Sequence, residues 1–262
     1  MLFIRELKRN MKSFVVTAVL CGIMIIYVVS MSKSMGPDIQ QILDMKLPKQ
    51  FQDAFGMGGL DFNNATSFFA MIFSYIYLFI AIYIAGVFAG IVSKEFSDKT
   101  AEYLFSLPLK RIHIIITKLS VAAIYFVILV LLLFFLSYLS FVLNAKDSLD
   151  MKLILLMASA WFLGGLTFGA LAFLLSSFFS YSKAISSITI ALVMFMYMLQ
   201  VIISVNDKLD NLKYISPFDW YKGSDIVNSM SISTTYSLIA GGVIIVSLII
   251  GTRRYMKMDV LI

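Results

Sequence analysis

The chain has 262 residues, 60% of them hydrophobic and only 14% charged, where an ordinary soluble domain has roughly half and a quarter. Mean hydropathy is +0.92 and the apolar residues fall in long blocks, which excludes a soluble enzyme, a disordered chain and a collagen-like repeat. The net charge of +6 points to no nucleic-acid partner, because excess Lys and Arg in a membrane protein collects in cytoplasmic loops; the single cysteine, Cys21, can form neither an internal disulfide nor a metal cluster.

Six stretches carry no charge: residues 13–32, 62–93, 119–145, 153–182, 184–206 and 226–252. Each is long enough to cross a bilayer as a helix, for which about 20 apolar residues suffice. They lack the polar and apolar alternation of barrel strands. The predicted spans are Phe14–Met31, Ser67–Val92, Leu119–Leu143, Leu153–Phe179, Ala184–Val205 and Tyr236–Gly251, in one transmembrane domain over residues 1–262. Arg5, Lys8, Arg9 and Lys12 precede the first span as in a signal peptide. That run is too long for an h-region and no small-residue cleavage site follows, so it is read as a retained helix.

The connections follow in order. Residues 32–65 form a long loop with Pro37, Pro48 and Gly56-Met57-Gly58-Gly59, in which Ile39–Asp44 and Lys49–Phe55 predict two short amphipathic helices. Residues 94–118 separate spans two and three. Ser180–Lys183 forces a tight hairpin between spans four and five, and residues 206–235 form a second long loop with Tyr214, Pro217, Trp220 and Tyr221, whose aromatics are expected to anchor at the headgroup level. Six spans put both termini on one side. Basic residues are more than twice as dense in segments 1–12, 94–118, 180–183 and 252–262 as in the other loops, so that side is predicted to be cytoplasmic.

No Asp, Glu, Lys, Arg or His lies inside a span. Ion-coupled transporters and pumps usually carry one, because the coupling ion needs a ligand. With His113 the only histidine, no H-E-x-x-H can form, and neither G-x-S-x-G nor a Walker A motif occurs. An enzyme is therefore not expected, no metal site is expected, and energy for any transport would come from another polypeptide.

Residues 94–111 hold the densest signal. Ser97 or Asp98 suits a helix N-cap, and Glu102 adds negative charge near the first turn. Ala101, Leu104 and Phe105 place an apolar stripe on about two turns. Leu107 precedes Pro108, which ends the helix and opens the next one, carrying Lys110 and Arg111 into span three. By spacing alone, such a helix fits equally a position on the lipid surface or a groove on a cytoplasmic partner.

The run Glu95-x-x-x-Lys99-Thr100-x-Glu102-x-Leu104-x-Ser106-x-Pro108-x-x-Arg111, followed by Lys118-Leu119, resembles the cytoplasmic signature of ABC-2 type exporter permeases. That signature reads E-x-x-x-G-T-x-E-x-L-x-S-x-P-x-x-R with a later K-L, and Lys99 stands where the family has glycine. Glu6-Leu7-Lys8-Arg9, the long loop after span one, Ile215-Ser216-Pro217-Phe218 and a basic tail ending near Asp259 extend the resemblance over nearly the whole chain. It implies an all-α membrane protein with six transmembrane helices and both termini cytoplasmic. This is the ABC-2, type V exporter-like, transmembrane domain, with a short cytoplasmic coupling helix between helices 2 and 3. It implies docking through Asp98–Leu107 onto an ABC ATP-binding subunit, with ATP and Mg bound there and no cofactor in this chain. Two permeases, here an expected homodimer, and two ATPases would make the exporter. Glu95 matches the carboxylate that ties the coupling segment to the base of the spans. The setting implied is a bacterial cell membrane.

Gly86-x-x-x-Gly90 and Gly165-x-x-x-Gly169 permit close helix approach, within one subunit or between two. By resemblance, spans two and five line the route, and Phe69, Phe73, Tyr77, Met194, Tyr197, Met198 and Gln200 are its candidate lining, with lipid contact the alternative for each. An uncharged aromatic and Met-rich route suits an amphipathic or hydrophobic cargo such as a peptide, antibiotic or lipid. A membrane anchor or sensor that recruits a cytoplasmic partner fits the same spans. Extrusion of sodium or another small ion fits them less well.

Overall fold

Residues 2–44, 48–97, 111–145, 150–179 and 184–257 are described by a computed structural model, and every element among them is helical. In chain order these are α1 (Leu2–Asp44), α2 (Lys49–Ala54), α3 (Ala65–Ser97), α4 (Arg111–Asn144), α5 (Met151–Phe178), α6 (Ile185–Val205), α7 (Pro217–Trp220), α8 (Gly223–Ser229) and α9 (Thr234–Met256). A 3-10 turn, Asp207–Tyr214, joins α6 to α7. Six of them, α1, α3, α4, α5, α6 and α9, are long and apolar enough to cross a membrane. Only helices satisfy every backbone group within one apolar segment, which is why uncharged runs fold this way. The chain is thus the all-α, six-helix membrane fold that its hydropathy predicts.

The loop after span one differs from expectation. A separate helix at Ile39–Asp44 does not form, because α1 continues unbroken through Pro37 to Asp44. Proline in a helix interior costs about 3 kcal/mol through a lost backbone bond and a crowded turn. Tertiary contact offsets that cost. Phe62 N donates to Gln40 Oε1 at 3.0 Å, and a Cβ on Gly36 would come within 2.5 Å of the Phe62 carbonyl oxygen. The second predicted helix does form, as α2. Gly56 and Gly59 then turn the chain with φ of 68° and 70°, a region that favours glycine.

The core is built around α3, which packs against α1, α5, α6 and α8. Its contact with α5 is close because glycines line it. A Cβ at Gly164 would overlap the Tyr77 hydroxyl, and one at Gly169 would meet Ile84 and Phe88 at 3.2 Å. The Gly165-x-x-x-Gly169 pair therefore serves packing inside the subunit. Gly86 in the other pair has open space beside it. Trp161 Nε1 donates to Phe73 O at 3.4 Å, and Ser176 Oγ to Ala89 O at 2.6 Å, so α5 is also tied to the α3 backbone. Asp150 caps α5 by accepting from Leu153 N. By contrast α6 and α9, the latter packed chiefly on α5, leave much of their apolar surface facing outward.

Trp220 and Tyr221 do not stand at the surface as membrane-interface anchors. Pro217 opens α7 at its first position, and Phe218, Trp220 and Tyr221 turn into the core. Only Tyr214 of the aromatic set in this loop stays exposed, its ring tilted against Tyr236.

Candidate functional site

The end of the bundle that holds Leu2 and Met256 carries a buried ionic network. Glu6 and Arg9 stand one turn apart on α1, a spacing that brings side chains together. Arg9 Nη2 donates to Glu6 Oε2 at 2.6 Å. Glu6 is only 3% exposed, and its other oxygen lies 3.8 Å from Lys118 Nζ and 3.7 Å from Arg5. Lys118, itself 2% exposed, comes from α4, and its ammonium also donates to Ile91 O on α3 at 3.0 Å. Tyr125 Oη, two turns further along α4, donates to Leu7 O at 2.6 Å. Lys94 Nζ of α3 reaches Asn10 Oδ1 of α1 at 3.4 Å. Three helices are therefore joined by charge and hydrogen bonds at one level. A charge buried this deeply survives only with partners.

This network surrounds the roots of the segment that resembles a coupling helix. The residues Asp98, Lys99, Thr100, Ala101, Glu102, Leu104, Phe105, Ser106, Leu107 and Pro108 lie outside the described residues. So does the Glu95 side chain, whose backbone belongs to the last turns of α3. Arg111 is described: it opens α4 and donates to Met256 O at 3.3 Å, at the end of α9. One root of the segment is thus held at Ile91 through Lys118, and the other at Met256 through Arg111. The hairpin at Ser180–Lys183 also lies outside the described residues.

The residues expected to line a route divide into two groups. Phe69, Phe73 and Tyr77 are buried inside the subunit. Phe73 stacks on Trp161 at 5.2 Å between centroids, Phe69 meets the edge of the same indole, and Tyr77 donates to Pro217 O at 3.3 Å. Phe218 closes this column against Tyr77 and Phe168, and Tyr197 of α6 meets its edge at 5.5 Å. Gln200 is buried, whereas Met194 and Met198 are exposed on the outer side of α6 together with Phe195. Ser216 Oγ, donating to Met196 O at 3.0 Å, seats the loop on α6. The structure thus joins Phe69, Phe73, Tyr77 and Tyr197 through Trp161 and Phe218, and leaves the two methionines facing out.

At the opposite end, Asp53, Ser204, Lys222 and Asp225 line a polar pocket of about 220 Å³ between α2, α6 and α8. Lys222 Nζ pairs with the buried Asp219 at 2.6 Å. Loss of hydration in the pocket raises the Asp225 carboxyl above the ordinary aspartate value; Lys222 and a Ser224 hydrogen bond oppose this, and Asp53 adds to it. Among the described residues, no three His, Cys, Asp or Glu side chains are grouped to hold a metal.

Sequence reasoning missed the pairing of Glu6 with Lys118. The signal was present, since each sits at the charged edge of an uncharged run, where a buried ionisable group must find a partner. Which partner it finds depends on the tertiary fold. No curated protein and no solved structure matches this chain. The family described as ABC-2 family transporter protein matches residues 4–260. With six helices long and apolar enough to cross a membrane, three of them joined at one ionic base, and that match over nearly its whole length, the chain belongs to the ABC-2 family of transporter proteins.

Proposed function

We propose that this chain is the permease subunit of an ATP-driven exporter. It moves an amphipathic or hydrophobic cargo, such as a peptide toxin, antimicrobial peptide, antibiotic or lipid, outward from the cytoplasm or the membrane of a bacterial cell. The observation that carries the reading is the family match over residues 4–260. Membership makes the chain a membrane transport component that works with an ABC ATP-binding subunit and is not itself catalytic. Two copies of the permease, with two ATPases at the cytoplasmic end, form the working assembly. The ATPases bind ATP and Mg and close together, and the segment Asp98–Leu107 carries that movement to the spans.

The ionic base supports this coupling role. Its two anchored roots, at Ile91 and Arg111, link a push on the segment to α1, α3, α4 and α9 together. The test is extraction of the tagged chain from its native membrane and identification of what accompanies it. A stoichiometric Walker A protein, whose capture is reduced about tenfold by Leu104→Asp and by Phe105→Asp, is the expected result. A chain that purifies without a nucleotide-binding protein overturns the exporter reading. Normal capture by both variants overturns the docking role of the segment.

A further inference from the structure

We draw no further inference here: the strongest candidate, the cleft of about 310 Å³ between α1, α3 and the start of α6, carries none, because Arg9 and Lys94 at its rim are already engaged with Glu6 and Asn10 and nothing in the structure shows what covers its apolar wall at Phe79, Ile82 and Ile190.

Discussion

Replacing Glu6 by Gln keeps the side chain's shape and removes its charge. Lys118 and Arg9 then face a neutral amide at the most buried point of the base, where Lys118 is 2% exposed. At the observed 3.8 Å and an effective dielectric near 20, the attraction lost is about 4 kcal/mol. Breaking a buried pair from one side costs about 3–5 kcal/mol in general, so Glu6→Gln is expected to destabilise by that amount. Lys118→Met should cost less, about 2 kcal/mol, because Glu6 keeps Arg9 at 2.6 Å and the main loss is a charged hydrogen bond to Ile91 O. The double variant should cost no more than Glu6→Gln, since methionine removes the ammonium that the neutral amide would strand. Denaturant titration of the four purified proteins in one detergent measures the cycle. A coupling of at least about 1 kcal/mol is expected, and additivity within about 0.5 kcal/mol would refute the network.

Two other perturbations follow from the packing and the outer pocket. Gly164→Ala forces the buried Tyr77 from its place and breaks its bond to Pro217 O. A loss of about 2–4 kcal/mol is expected, while Gly242→Ala, which meets nothing within 4 Å, should be neutral or stabilising; equal melting midpoints for the two variants would contradict the packing described. Asp225 holds its proton more tightly folded than unfolded, so its contribution to stability is fully present below pH 3.8 and is lost as pH rises through the raised folded value. Asp225→Asn should therefore gain stability over the parent as pH rises from 4 to 7, and a gap between their melting midpoints that stays flat or shrinks would refute the assignment.

The six membrane helices were legible because hydropathy is a property of a local run, and α3, α4 and α5 follow the uncharged blocks closely. The unbroken α1 was not legible. Pro37 reads locally as an end, and only the approach of Phe62, twenty-five residues away, holds Gly36 and Gln40 in helix. The same limit applies to the aromatic column. Phe73 and Tyr77 are visible in the sequence as a stripe, but its inward direction depends on Gly164 and Trp161 of α5. Trp220 and Tyr221 followed an interface rule for aromatic residues, and the turn begun at Pro217 carried them into the core instead.

Helix α1 is fixed near both of its ends and at neither by apolar contact alone. Glu6, Leu7 and Asn10 hold it at the base, and Gly36 and Gln40 hold it at Phe62. Between Glu6 and Gly36 lie thirty residues, about 45 Å of rod, with Val16, Ile23 and Tyr27 exposed on its flank. Cys21, Ile25 and Val29 are fully buried between the two clamps, so the rod is also seated along its middle, and a single unbroken element ties the ionic base to the far-end loop at Phe62.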